Sequence, residues 1–533
     1  MLSQSLTIKK NYQFFKHLFD QGKHYAEKGR FNDALAFYQM AAFLAWQSHC
    51  GIFVSPSLET ACRELSFLLT YKEQQGHQET RVFSNVTHLM TQAYEIGGHT
   101  KLVTRWIQND DKHKHNVLLL NQGTLPIPEQ LKIAVSSSKG TINFIKQING
   151  IIEKSQSILD SITKLDSDVV VLHIHPYDIS VIPTLSKLEN TPVIFLNHAD
   201  HVFWVGGSVA NVNACIRDSA IAISISRRHI PSNNNLVLPI PLTKAPLCKN
   251  RKELKESLGL VGKTVLLSIA SSYKYKPSSD KDFCKSLLPI IDAKSDTVLI
   301  VIGPSLEDKY WKHYHNLSDG RIIPLGIKND ISDYYFVSDI YIDSIPFGSL
   351  TSVLDAGNRG IPTLFLSDPS TNLNFDYEYL KKHSALRADS INDLQKKLIF
   401  LIDNIEYRKT LGEKVKEEIV SHHCLPDWLN YLEDVYVSSF NNSKIKYSNE
   451  TYNELTEQDY RLLETHSKPV EQSFIYAFFL SFPALTYSAR LKAAIDFMPV
   501  FIKNPKTTIR SMVRLLPPTL KVLLKKTLKL LEN

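Results

Sequence analysis

DIYIDSIPFGSLTSVLDAGNRGIPT, residues 339–363, is the stretch whose reading decides the fold. Ile340, Tyr341 and Ile342 predict a short strand, because β-branched and aromatic side chains fit a pleated, half-buried surface. Pro346, Phe347 and Gly348 predict a turn. Ser349, Thr351 and Ser352 are favourable at the start of a following helix, where their hydroxyls meet unpaired N–H groups. Asp355 falls one helical turn in. Gly360 and Pro362 end the helix before a second apolar strand at 363–366. The positive end of such a helix suits a diphosphate. A carboxylate one turn along can accept hydrogen bonds from a ribose diol. The pattern is one for holding a nucleotide sugar.

Around this stretch, apolar runs alternate with helical ones. In 262–440 the predicted strands are 264–269, 297–302, 321–324, 340–343 and 363–366. An earlier block carries predicted strands at 82–94, 116–120, 169–174, 193–196 and 220–225, with a helix at 101–108. Short, nearly continuous apolar runs are expected of parallel sheets buried on both faces. Residues 245–252 read as the linker between the blocks. Two doubly wound sheets joined in this way leave a cleft at their strand C-termini. Four regions follow: a helical extension over 1–80, domains over 81–245 and 246–440, and a helical, basic tail over 441–533. Within the extension, 26–38 has the small-and-aromatic spacing of a helical-hairpin repeat, in a single copy. An ordinary amphipathic hairpin is the alternative.

The 533 residues are too many for one core. Six cysteines without a CxxC pair predict reduced, buried thiols and hence a cytoplasmic setting. No run reaches the roughly 18–20 apolar residues of a membrane span, and the N-terminus lacks the apolar core of a signal peptide. The net charge of +7 is concentrated at the end of the chain. Lys503, Lys506, Arg510, Arg514, Lys521, Lys525, Lys526 and Lys529 face a single anion there, Glu532. The rest is close to neutral, which argues against a nucleic-acid partner. Leucines mixed with lysines over 515–531 suit a helix on an anionic membrane surface, peripheral on its inner face, or a basic helix packed on the protein.

Three further loops carry candidate chemistry. Gly97, Gly98 and His99 follow the first strand, and two glycines allow close backbone approach to a ligand. They lack the GxGxxG spacing of a nicotinamide site. His198 and Asp200, in Asn197–His201, follow a strand and face the expected cleft, where a histidine can serve as base. A metal held by His173, His175, His198 and His201 is the alternative reading, and no metal is expected. Lys274 follows the first strand of the second block and can neutralise a diphosphate. Asp166-Ser167-Asp168 matches a DxD pattern but precedes a strand, as a strand-entry turn does.

Together, the two-block layout, the GGHT loop at 97–100, the NHADH strand end at 197–201 and the stretch 339–363 resemble a GT-B glycosyltransferase over about 82–440. The helix expected after Pro426-Asp427-Trp428 resembles the closing helix of that fold. The second half is most similar to O-linked N-acetylglucosamine transferases and bacterial cytosolic N-glycosyltransferases. The first half is more like bacterial polysaccharide glycosyltransferases. The resemblance implies an α/β protein of two Rossmann-like domains, a UDP-sugar donor, no further cofactor, and a protein or lipid-linked glycan acceptor. It implies phosphate binding by Lys274, Thr351 and Ser352, a ribose contact at Asp355, and a loop against uracil at Gly326, Ile327 and Lys328. Leu350 stands where the family often has histidine. Phe347 replaces the first glutamate of the E-x7-E pair, so the stereochemical outcome stays open. A nucleotide-sugar epimerase of the same fold and a non-catalytic partner of another transferase are the alternatives.

Overall fold

A computed structural model describes residues 2–71, 83–95, 98–246, 250–277, 281–367, 383–447, 467–498 and 500, with short pieces at 455–456, 459–460 and 463–464. Gly97, Cys248 and the basic segment from Lys503 onward lie outside the described residues.

Two parallel sheets form the frame. The first contains β1 (Asn85–Met90), β2 (Lys114–Leu119), β3 (Ile142–Phe144), β4 (Val169–His173), β5 (Val193–Asn197), β6 (Val212–Cys215) and β7 (Asn235–Val237). They lie in the order β3-β2-β1-β4-β5-β6-β7. The second contains β8 (Thr264–Ile269), β9 (Thr297–Ile302), β10 (Ile322–Pro324), β11 (Ile340–Ile342), β12 (Thr363–Leu366) and β13 (Arg387–Ala388), in the order β10-β9-β8-β11-β12-β13. Strand order reverses beside β1 in one sheet and β8 in the other. Such switch points open a crevice at the strand C-termini. The central strands are buried because helices cover both faces. β4 and β5 are buried along their whole length, as the continuous apolar runs require.

One predicted strand is corrected. Residues 220–225 lie in the helix Asp218–Arg228. Asp218 in its first turn and Arg227 and Arg228 in its last complement the helix dipole. Of the alanine and isoleucine run, Ala220 and Ile223 are buried on the helix's packed face, while Ala222 and Ile225 are exposed. The sheet is completed instead by β6 and β7, and its far edge by β3.

The helix Trp428–Asn441 returns to the first domain. Trp428 Nε1 donates to the Pro239 carbonyl at 2.7 Å and Tyr436 donates to Asp110 at 2.8 Å. Beyond it, Ile445 N–H donates to Ala210 at 2.8 Å. At the other end, the helices Leu2–Glu27 and Phe31–Gln47 form a hairpin that turns at Gly29, whose φ is +69°. Its helices pack so closely that a Cβ on Gly22 would stand 2.3 Å from the Tyr38 ring. The later helix Val470–Ser481 seats on this hairpin, with Ser48 donating to Ser473 at 2.7 Å. Both join one apolar core with the first sheet.

The described cysteines, Cys50, Cys62, Cys215, Cys284 and Cys424, are buried and unpaired. Asp168 accepts from the N–H groups of Ser84 and Asn85 at 2.9 and 2.8 Å, which makes the DxD pattern a strand-entry clasp. Among the described residues no helix is long and apolar enough to cross a membrane.

Candidate active site in the interdomain cleft

β11 delivers Asp343 into the loop that precedes the helix Leu350–Gly357. Its Oδ1 accepts from Ser344 N–H and Ser349 N–H, each at 2.8 Å. This folds residues 344–349 into a tight arch. Ser349 and Ser352 face each other, Oγ to Oγ, at 3.1 Å. The N–H groups of Leu350 and Thr351 take no partner among the described residues. They are the unpaired donors of a helix start, positioned where an anion binds.

Lys274 lies in the short turn Ser272–Tyr275 after β8. Its Nζ donates to the Gly348 carbonyl at 2.8 Å, and its own carbonyl accepts from Phe347 N–H at 3.3 Å. The lysine is thus fastened to the arch beside the helix start. Burial lowers its pKa from the ordinary lysine value, and the Asp343 carboxylate opposes that shift. Gly326, with φ +72°, follows β10 and accepts from Gly303 N–H at 2.9 Å. Ile327, 71% exposed, and exposed Lys328 follow it on the same rim. The second-domain residues expected to hold a nucleotide therefore all lie at the C-terminal ends of β8, β10 and β11.

Across the cleft, Gly98 begins the helix Gly98–Asn109. A Cβ at Gly98 would stand 3.1 Å from Thr351 Cγ2, so two helix starts from different domains meet here. Two turns along, Arg105 reaches Asp355 at 3.5 Å. Asp355 is also backed by Arg359, whose guanidinium donates to the Asp355 carbonyl at 2.8 Å and stacks on Tyr335 at 4.6 Å. Sequence reasoning missed Arg105, Asp343 and Arg359. Asp343 was visible at the end of the quoted strand, and Arg359 by its i+4 spacing from Asp355. Nothing in the sequence ties Arg105 to the second domain.

His99 sits in the first turn of the first-domain helix, its ring 4.5 Å from that of His198. His198 is half-buried and directs Nδ1 at the Leu196 carbonyl, 3.2 Å away. That contact assigns the proton to Nδ1 and leaves Nε2 as the acceptor. Burial lowers His198 to about 4, so the ring is neutral at neutral pH. Asp200 is buried and committed to Arg217 through contacts of 2.7 and 2.9 Å. Burial alone would raise its pKa, but Arg217 and His201 hold it below the carboxylate range. Its role in this geometry is to fix the loop. His173, His175, His198 and His201 do not gather on one point. Among the described residues no group of three ligand side chains is placed to hold a metal.

No family model matches the chain and no curated protein does. Solved structures do. A glycosyltransferase from Rickettsia africae superposes with a TM-score of 0.53 at 14% identity, over 68% of this chain and 100% of that one. HepE of Anabaena, solved with UDP and glucose, superposes with a TM-score of 0.51 at 12% identity, over 67% of this chain and 99% of its own. The chain therefore has the GT-B fold, two doubly wound domains facing a cleft, that these structures share.

Proposed function

We propose that this protein is a glycosyltransferase that moves a hexose or N-acetylhexosamine from a UDP-sugar to an acceptor hydroxyl or amide. One observation carries the reading. The unpaired helix start at Leu350 and Thr351, Lys274 beside it and Asp355 one turn along form one continuous surface opposite Gly98. The helix start and Lys274 supply positive field to the departing diphosphate, where negative charge develops in the transition state. Asp355 takes the ribose diol, and the rim at Gly326, Ile327 and Lys328 takes the base. No metal is required in this scheme, because Lys274 and the helix start supply the countercharge. The neutral Nε2 of His198 accepts the acceptor's proton. The bound UDP and glucose in HepE, which has the same fold, are in keeping with a UDP-sugar donor.

The acceptor is placed on the first-domain side and assigned to cell-surface glycan assembly, with protein glycosylation as the competing use. The support is a surface feature. On the helix Tyr487–Asp496 and just past it, Tyr487, Leu491, Ile495 and Met498 are exposed at helical spacing. In sequence, this apolar stripe comes just before the segment carrying the eight cations. That combination suits docking to an anionic membrane from the cytoplasmic side.

The test is a donor screen for UDP release by purified protein. Lys274→Ala and Asp355→Ala should each lower release about 10²–10³-fold, the scale of losing one transition-state contact. Normal rates in both variants would overturn the site. Conversion of the UDP-sugar to its epimer without UDP release would replace transfer by epimerisation.

A further inference from the structure

Under the helix Gly98–Asn109, three histidines cross the first sheet on a diagonal. His115 is on β2, His88 on β1 and His173 on β4. In register, His115 lies opposite Val86 and His173 opposite Met90. Each step to the next strand therefore advances two residues toward the cleft, and all three rings share one face. All three are fully buried.

The nitrogens join end to end. His173 Nε2 meets His88 Nδ1 at 2.9 Å, and His88 Nε2 meets His115 Nδ1 at 2.9 Å. His115 Nε2 then lies 3.2 Å from Asp110 Oδ2 and 3.3 Å from the Asp110 carbonyl. Asp110 follows the C-terminus of the covering helix and also accepts from His113 at 2.8 Å and from Tyr436 at 2.8 Å. Trp106 packs edge-on against His88 and His173 and donates to Tyr436 at 3.1 Å. At the cleft end, Nδ1 of His173 and Nε2 of His99 are buried and take no hydrogen bond among the described residues. His99 stands 6.1 Å from His173, ring to ring, and His198 stands next beyond it. His175 is also near that end, with Tyr94 and Tyr177 against its ring, Asp178 and Lys154 behind it, and His201 acting on His198.

Such a row has two self-consistent arrangements. If all three rings are neutral, Asp110 draws a proton onto Nε2 of each, and Nδ1 of His173 is a bare acceptor. If His115 is doubly protonated, its Nδ1–H donates outward. Both other rings then carry Nδ1–H, and His173 holds a donor at the cleft end of the row. Burial holds His88 and His173 well below the ordinary imidazole range. Burial would raise Asp110, but His113 and His115 outweigh it and keep the carboxyl ionised. The second arrangement puts its charge at the His115 end of the row, beside the Asp110 carboxylate and near the negative end of the covering helix.

We propose that His173, His88, His115 and Asp110 form a two-state proton relay that serves the cleft and stores the proton released by the acceptor. This deepens the glycosyltransferase reading and rests on it for the proton's source. The acceptor's bond to hydrogen breaks as it bonds to the sugar carbon, and the sugar–phosphate bond breaks with its electrons leaving on UDP. The proton enters the row at the open Nδ1 of His173. The Nε2 protons of His173 and His88 each move one ring inward, and His115 becomes an imidazolium paired with Asp110. These four are positioning and storage residues, since none touches the reacting atoms.

The test reads ring tautomers in the full-length protein with nitrogen-15-labelled histidine, assigned by single substitutions. From alkaline to mildly acidic pH, His115 should gain its second proton in the same transition that turns His88 and His173 from Nε2–H to Nδ1–H. Asp110→Asn should abolish that concerted transition. His88→Gln, of similar volume, should uncouple His173 from His115 and is the variant to use if Asp110→Asn does not fold. Rings that titrate independently, or tautomers unmoved by pH, would overturn the relay. UDP release from UDP-glucose gives the second readout. His88→Gln should shift the acid limb of its pH profile, and a shift in thermal stability with an unchanged profile would reduce the row to scaffolding. A wild-type protein that releases no UDP from any UDP-sugar would defeat the transferase reading, while the tautomer measurement would still decide the relay.

Discussion

Arg105 of the first domain stands 3.5 Å from Asp355 of the second, and each side chain is about a quarter exposed. A partly exposed, long pair of this kind contributes under about 1 kcal/mol. Its consequence is conformational, because it joins the domains through the carboxylate proposed to bind ribose. Arg105→Ala should leave the unfolding free energy within about 1 kcal/mol of wild type. Without nucleotide, it should expand the protein in small-angle scattering. An unchanged radius of gyration would show that the pair does not hold the cleft shut.

Gly98 meets Thr351 where the two helix starts converge, and a Cβ there would already be 3.1 Å from the threonine methyl. Gly98→Val adds two more carbons to that contact. The domains should then be held about an ångström apart, a displacement that costs on the order of 10²-fold in turnover. Stability should change by less than about 1 kcal/mol, since Gly98 is exposed at a helix end. Full UDP release by this variant would mean that catalysis does not need the closed approach.

Asp343 shapes the phosphate arch by accepting two N–H groups at 2.8 Å. Asp343→Ala leaves both donors buried, at about 1–3 kcal/mol each, and should abolish UDP binding in calorimetry. Asp343→Asn retains an acceptor oxygen and should keep most of the stability. UDP affinity that is equal in the alanine variant and wild type would remove the arch from the nucleotide site.

Much of the second domain was legible because its signals are local. In 339–363 the strand, the arch and the helix start are consecutive, so residue types alone specify their order. The first domain was harder to read. Val212–Cys215 includes Asn213, which breaks the apolar pattern yet is buried and bonds to Ser224 and Asn235. Residues 220–225 look like a buried strand until the helix-favouring charges at Asp218, Arg227 and Arg228 are weighed. The histidine row was invisible as a row. His88 and His115 are separated by 27 positions and His88 and His173 by 85, so only strand register brings them together. Arg105 and Asp355, 250 positions apart, meet only through the docking of two domains.

His423 gives the protein a predictable acid limit. It is buried at the crossing between domains, where Nδ1 donates to the Ile240 carbonyl at 2.7 Å. Burial is the largest effect on this ring and lowers its pKa from 6.5 to about 4, against the opposing Ile240 contact. In the unfolded chain the ring takes its proton near 6.5, while the folded chain resists until about 4. Across that window the unfolded state binds more protons, so stability falls as pH falls. The neutral ring's contribution is complete above about 6.5 and is lost on the way to 4, a change on the order of 3 kcal/mol. His198, also lowered to about 4 by burial, adds to the same slope. Urea midpoints measured at pH 7 and pH 4.5 should therefore drop steeply for wild type. His423→Asn can retain the donation to Ile240 without titrating, and should be less stable at pH 7 but flatter between the two. An equally steep loss in that variant would place the acid sensitivity elsewhere.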